Sequence, residues 1–151
     1  MHAHRTGFTL QLTYLRPIIM QIGFDAKRAY HNTTGLGVYS RTLIRGLAET
    51  FPDDRQFLFN PRSSTSYAFS YPNCTEVQPS RWLHRLLPSL WRSAALCHEP
   101  TFKQLDLFHG LSNELPLGIE KSGVPSVVTI HDLIFEHFPR QYPRMDVEIY
   151  R

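Results

Sequence analysis

The sequence has no long apolar run and very little cysteine, and both absences exclude whole classes of protein. No apolar stretch reaches the ~18 residues that a membrane-spanning helix needs. The two cysteines, Cys74 and Cys97, form no Cys-X-X-Cys pair and have no clustered histidines beside them, so neither a zinc site nor a disulfide framework is supported. Because disulfides are absent from the pattern, a reducing compartment is the default and we expect a cytoplasmic protein.

The charge balance excludes a further class. The 151 residues include 16 lysines and arginines against 13 aspartates and glutamates, a net charge of +3, and this excess is too small for a nucleic-acid-binding surface. With 42% hydrophobic and 19% charged residues, the chain has the composition of a folded globular protein. Its length is that of about one domain.

Residues 1–19 differ from the rest of the chain. Their apolar run is broken by polar residues, and no small-residue cleavage site follows it, so the segment does not fit a signal peptide. Met20 stands immediately before the first clear strand pattern. We therefore expect 1–19 to be a poorly ordered N-terminal extension and the folded domain to occupy residues 20–151.

Strand patterns and helix patterns alternate from residue 20 onward. A helical spacing of apolar residues covers 37–51, and short apolar runs typical of buried strands lie at 20–26, 56–59, 75–78, 105–109 and 124–130. This alternation predicts an α/β fold, in which a Rossmann-like parallel sheet has helices on its faces. Ligands of such folds bind at the carboxyl ends of the strands, so the functional residues should follow the strands.

Glycines and histidines follow the predicted strands. Gly35 and Gly37 open the first long helix, where free N–H groups attract phosphate, although an ordinary strand-to-helix turn explains these glycines equally well. His131 and Asp132 end an apolar strand and fit a general acid or base, or a clamp for a sugar hydroxyl. The structural alternatives are a paired histidine and a turn-capping aspartate. His109 either contacts a ligand or is paired in the core.

Residues 81–92 combine leucines and tryptophans at helical spacing with three arginines, and Pro88 interrupts the pattern. One interpretation is a basic amphipathic segment on an anionic membrane surface. The interpretation that we prefer is a helix packed on the sheet with its arginines in water, because Pro88 would break a continuous membrane-facing surface.

Three blocks of the sequence resemble the N-terminal half of glycosyltransferase family 4, whose members are retaining enzymes with the GT-B fold, including mannosyltransferases. The blocks arrive in the family's order, and the resemblance covers about residues 20–151. They read Asn32-Thr-Thr-Gly-Leu-Gly-Val-Tyr-Ser-Arg, Asp106-Leu-Phe-His-Gly-Leu-Ser-Asn-Glu-Leu-Pro and Val127-Val-Thr-Ile-His-Asp-Leu-Ile.

The resemblance implies a role for each predicted site residue. In the family, two Rossmann-like domains face each other across a cleft, and the N-terminal domain mainly binds the acceptor. Gly35 and Gly37 would approach the donor diphosphate, and His131 would lie near the transferring sugar with Asp132 beside it. The remaining residues, which would line the acceptor side, are His109, Ser112 and Asn113.

The resemblance also implies the reaction and its partners. A sugar would pass from a nucleotide-sugar to the hydroxyl of a glycan or lipid-linked acceptor with retention of configuration, as in polysaccharide biosynthesis. No metal or other cofactor is expected, and no nucleic acid. Contact with the inner face of a membrane is a further expectation, which rests on residues 81–92.

Family members are more than twice as long as this chain. The resemblance therefore implies an incomplete N-terminal domain that lacks the C-terminal donor domain and is inactive alone. The alternative is a non-catalytic remnant, or a module that binds a sugar or a partner chain. A nicotinamide-binding domain fits poorly, because Ser40 stands where Gly-X-Gly-X-X-Gly requires its third glycine.

Overall fold

Five parallel strands form one sheet in the computed structural model, which describes residues 19–64 and 66–132. The strand order is β3-β2-β1-β4-β5, so β1 lies at the centre of the sheet. The strands are β1 (Gln21–Asp25), β2 (Arg55–Phe59), β3 (Cys74–Val77), β4 (Leu107–Gly110) and β5 (Ser126–Val128). This arrangement confirms the predicted α/β, Rossmann-like fold with its parallel sheet and flanking helices.

Helices connect most of the strands. The α-helices are α1 (Lys27–His31), α2 (Gly35–Thr50), α3 (Trp82–Leu86) and α4 (Pro88–Leu90). The chain then continues directly from α4 into a π turn and a 3₁₀ turn, which are Trp91–Ala95 and Leu96–His98. Further 3₁₀ turns are Phe102–Gln104 and Ile119–Lys121. The expected N-terminal extension lies outside the described residues except for Ile19. Residues 144–151, whose sequence predicts the start of a helix, also lie outside them.

A separate hydrophobic core covers each face of the sheet, because successive side chains of a strand point to opposite faces. The core beneath α2 contains Ile22 and Phe24 of β1, as the alternation in that strand predicts, together with Ile44 of α2. The opposite core is rich in aromatic rings and contains Phe59, Trp91, Phe102 and Phe108. Both cores include side chains that are fully buried, so the sheet is covered on its two faces.

Two local predictions differ from the structure. The sequence between the first strand and Gly35 predicts a loop, because it has no recognisable helical periodicity. Lys27–His31 instead form the short helix α1, in which Ala29 and Tyr30 are buried. The strand predicted at 124–130 is only three residues long, because β5 pairs with β4 only between Ser126 and Val128.

The interpretation preferred for residues 81–92 holds at Trp91, which is buried in the core on the sheet, but not at α3 and α4. Arg92 is not in water either, because it pairs with Asp25. Neither helix contains a buried residue. Trp82 is 68% exposed and Leu86 67% exposed, and the other exposed apolar residues here are Leu83, Leu87 and Leu90. As predicted, Pro88 interrupts the helix, since α3 ends at Leu86 and α4 begins at the proline.

Candidate functional site

The chain connections diverge at the carboxyl edge of the sheet between β1 and β4. From β1 the chain moves outward through β2 and β3 on one side, and then returns to β4 on the other side. In parallel sheets, ligands bind where the connections diverge in this way. The predicted residues His109, Ser112, Asn113, His131 and Asp132 all belong to the ends of β4 and β5 or to the segments that follow them.

Four side chains make a connected group at this edge, which we call the histidine cluster: Tyr39, His109, Thr129 and His131. Thr129 Oγ1 lies 2.8 Å from His109 Nε2 and 3.0 Å from the Tyr39 hydroxyl. Tyr39 comes from the first turns of α2, so the cluster joins that helix to β4 and to the segment that follows β5. Burial lowers the pKa of His109, which favours its neutral form. His109 is therefore a hydrogen-bonding group near neutral pH rather than a cation.

The position of His131 is fixed at three points. Its Nε2 lies 2.9 Å from the carbonyl oxygen of Leu111, and because a carbonyl only accepts, Nε2 carries the proton. Its backbone N–H donates to Asn113 Oδ1 at 3.0 Å. Its ring stands edge-on to Tyr39, with centroids 4.9 Å apart. In the neutral imidazole, Nδ1 is then the atom that can accept a hydrogen bond or a proton.

Asn113 holds the loops after β4 and β5 together. Its φ of 57° is in the left-handed region, which asparagine tolerates better than most residues. Its N–H donates to the carbonyl of Thr129 at 2.9 Å, while its side chain accepts from His131. Asn113, which was predicted to line the acceptor side, therefore also orients His131.

The other two predicted residues differ in accessibility. Ser112 is buried, with 8% of its surface exposed, in the loop after β4. Asp132 is exposed beside His131. Of the two, only Asp132 presents its side chain to solvent at the edge of the sheet.

The two glycines at the start of α2 serve different purposes. A Cβ atom at Gly37 would lie 1.9 Å from the carbonyl oxygen of Asn32, so this glycine is required by packing. The Gly37 N–H is already hydrogen-bonded within the protein, because it donates to Asn32 Oδ1 at 3.1 Å. A Cβ at Gly35 would meet nothing within 4 Å. Only Gly35 therefore leaves open space that a ligand could enter.

An ion-pair cluster that sequence reasoning missed lies at the end of β1. Asp25 is its last residue, and Arg92 Nη1 donates to Asp25 Oδ2 at 2.8 Å. Arg92 Nη2 pairs with Glu114 in the loop after β4. Burial alone would lower the pKa of Arg92, but the two carboxylates outweigh burial and raise it. The sequence offered one signal for this cluster, which is a carboxylate, Asp25, at the end of a buried strand. Its partner Arg92 could not be predicted, because it lies 67 residues away in the sequence.

Beside this cluster lies a cavity of about 210 Å³, which we call the basic cavity. Every ionisable residue that lines it is basic: Lys27, His31, Arg62 and Arg92. Pro61, Pro88 and Ser89 complete the lining. Sequence reasoning missed this site as well, since its residues come from α1, the end of β2, α4 and the π turn.

Comparisons with known proteins add no assignment: no family model, no curated protein and no solved structure matches the chain. Within 19–64 and 66–132, no helix combines the length and the apolar character needed to cross a membrane. In the same ranges, no three His, Cys, Asp or Glu residues are grouped so that they could hold a metal ion.

Proposed function

We propose that this chain forms the acceptor-side part of a retaining glycosyltransferase, which transfers a sugar from a nucleotide-sugar to an acceptor hydroxyl. The observation that carries the proposal is the fixed position of His131 at the carboxyl edge of the sheet. Its Nε2–H is held by a backbone carbonyl, and its Nδ1 remains as an acceptor. A group held in one tautomer and one orientation is suited to bind a sugar hydroxyl without further rearrangement.

The residues around His131 have complementary roles in this proposal. Tyr39 packs against the imidazole edge-on, and Asn113 fixes its backbone. Neutral His109, with its hydrogen bond to Thr129, would offer a second polar contact on the acceptor side. The histidine cluster would therefore orient the acceptor mainly by hydrogen bonds.

Gly35 supports the donor side of the proposal. The open space at this residue would let a diphosphate approach the backbone at the start of α2. Gly37 supports it only indirectly, because its contact with Asn32 shapes the turn that precedes α2. We therefore assign the donor contact to Gly35 and a positioning role to Gly37.

The test is a screen of nucleotide-sugars for hydrolysis and transfer, applied to this chain and to any longer product of the same reading frame. We expect His131→Ala to lower turnover at least about 100-fold if the imidazole acts in proton transfer. His98→Ala is the matched control, because His98 is exposed and lies outside the site. Equal activity of the two variants would contradict the role of His131. Sugar binding without turnover in any form would favour a non-catalytic binding module.

We further propose that the exposed surface of α3 and α4 makes a peripheral contact with the cytoplasmic face of an anionic membrane. The supporting observation is the exposure of at least half of each of five apolar side chains, which are Trp82, Leu83, Leu86, Leu87 and Leu90. Arg81 and Arg85 are exposed on the same short segment. Apolar residues flanked by arginines suit an interface of acyl chains and anionic headgroups. A lipid-linked acceptor would then be presented beside the sheet.

Co-sedimentation with vesicles tests this contact. We expect binding to vesicles that contain phosphatidylglycerol, weaker binding at high salt, and loss of binding in Trp82→Ser/Leu86→Ser. Val38→Ser is the control, since Val38 is 53% exposed but belongs to α2. No binding at low salt, or equal loss in the control, would refute the proposal.

A further inference from the structure

The basic cavity is too small for a whole substrate but suits one charged group. Its volume of about 210 Å³ is below the ~300–1,000 Å³ typical of pockets that enclose a complete small ligand. It lies at the carboxyl edge of β1 and β2, next to the ion-pair cluster of Asp25, Arg92 and Glu114. A ligand bound at this edge could therefore place one substituent in the cavity.

The positive charges of the cavity are only partly neutralised. Both nearby carboxylates, Asp25 and Glu114, pair with Arg92. Within the described residues, Lys27 and Arg62 have no carboxylate at ion-pair distance. Lys27, Arg62 and Arg92 are thus three basic side chains beside two carboxylates, and both carboxylates pair with Arg92.

Lys27 shows the electrostatic consequence. Burial, followed by repulsion from Arg92 and Arg28, lowers the pKa of this lysine despite the nearby carboxylates. A half-buried ammonium without an anionic partner is costly, and an anion in the cavity would remove much of that cost. The cavity is therefore complementary to negative charge.

His31 is oriented by a chain of hydrogen bonds that crosses two strands. Its Nε2 lies 2.9 Å from Asn60 Oδ1 and 3.1 Å from the carbonyl oxygen of Arg62, so Nε2 carries the proton. Asn60 is held in turn, because its amide donates to Glu76 at 2.8 Å. These bonds fix the imidazole at the wall of the cavity and tie it to the backbone that carries Arg62.

We propose that the basic cavity binds a phosphate group of the acceptor. This inference rests on the proposed function and names the acceptor's chemical class, a phosphate-bearing sugar or lipid. Arg62 would bind phosphate oxygens through its planar fork, and Lys27 would bind them as a point charge. Arg92 contributes its charge from a position fixed by Asp25, while His31 offers a polar wall.

Titration of the full chain with inorganic phosphate, followed by calorimetry or amide chemical shifts, tests the site. We expect saturable binding that is about tenfold weaker in Arg62→Gln and in Lys27→Gln, and partly restored in Arg62→Lys. Arg45→Gln is the matched control, because Arg45 is exposed on α2 outside the cavity. Absence of binding, or an equal loss in the control, would overturn the proposal.

Two further probes identify the source of the phosphate. Competition by a soluble hexose phosphate but not by the free hexose would indicate a sugar phosphate acceptor. A preference for phosphatidic acid vesicles over phosphatidylglycerol vesicles that disappears in Arg62→Gln, whereas Trp82→Ser/Leu86→Ser lowers binding to both kinds of vesicle, would indicate a lipid headgroup. Phosphate binding that depends on Arg62, with no turnover of any nucleotide-sugar by this chain or by any longer product of the same reading frame, would support this site while refuting the glycosyltransferase proposal.

Discussion

Helix α2 and the segment of α3 and α4 have similar sequence patterns but opposite environments. Both have apolar residues at helical spacing with arginines between them. In α2 the pattern packs inward, and Ile44 and Ala48 are buried against the sheet. In α3 and α4 no residue is buried, and the large apolar side chains face solvent. The amphipathic pattern shows that a helix has an apolar face, but not which surface that face meets.

The difference follows from helix length and from what precedes each segment. Helix α2 has 16 residues and is joined at both ends to central strands that hold it over the sheet. The α3 helix has five residues before the break at Pro88, and it follows β3, which is an edge strand of the described sheet. The sheet face on that side is instead covered by Trp91, Leu96 and Phe102, which follow the break.

The largest expected effect is the difference in stability between truncating a buried side chain of α2 and truncating an exposed side chain of α3. We expect Ile44→Ala to lower the free energy of unfolding by about 2–5 kcal/mol, because Ile44 is fully buried. Leu86→Ala should change it by less than about 0.5 kcal/mol, because Leu86 is 67% exposed. Urea unfolding measures both. A comparable loss from Leu86→Ala would mean that α3 is packed in solution.

The first turn of α2 provides the next test. We expect Gly37→Ala to destabilise the protein by about 1–3 kcal/mol, because the added methyl would collide with the Asn32 carbonyl. Gly35→Ala has free space and should be neutral or stabilising by up to about 1 kcal/mol. Equal thermal midpoints for the two variants would contradict the packing role assigned to Gly37. Gly35→Val in an active form should then lower donor binding without unfolding the chain.

A smaller, pH-dependent effect should come from His109, which links β4 to α2 through Thr129 and Tyr39. Burial lowers the folded-state pKa of His109 below its usual 6.5. Stability from this group is therefore present above pH 6.5 and lost as the pH falls, since the unfolded chain binds the proton first. Urea unfolding between pH 7.5 and 5.5 should show a steeper loss for the wild type than for His109→Gln. Identical slopes would argue against a buried, neutral His109.

The two tryptophans give the mildest test of the comparison. Trp82 is 68% exposed, whereas Trp91 is fully buried and donates to Glu99 at 2.6 Å. Acrylamide should quench mainly Trp82, so Trp82→Phe should remove most of the quenching without unfolding the protein. Anionic vesicles should shift the emission of the wild type to shorter wavelength, and Trp82→Phe should not respond. Strong quenching in Trp82→Phe would indicate that Trp91 is accessible.

Much of the fold could be predicted because its determinants are local. The alternation of Ile22 and Phe24 predicts a strand with one face in the core, and the spacing through Ile44 predicts the long helix. The expected site residues also lie at the strand ends, because parallel strands place those ends at one edge. By contrast, α1 was missed because five residues give too short a periodicity to recognise, and tertiary packing stabilises them.

The site shows where sequence reasoning ends. The histidines at 109 and 131 could be singled out because each ends an apolar run. Their partners could not, since Tyr39 and Thr129 are 90 residues apart and meet only through the sheet. The same holds for the ion-pair cluster, in which Asp25 and Arg92 are separated by 67 residues. Such contacts depend on which strands become neighbours, and no local pattern encodes that choice.

The sequence by itself thus determined the strands, the long helix, the break at Pro88 and the candidate residues at the strand ends, because these depend on side-chain periodicity and backbone sterics. Only the tertiary structure decided that α3 and α4 face solvent and that Gly37 is a packing residue. It also brought the four basic residues of the basic cavity together from separate segments. The physical reason is that burial and charge pairing depend on distances in space, which strand order sets.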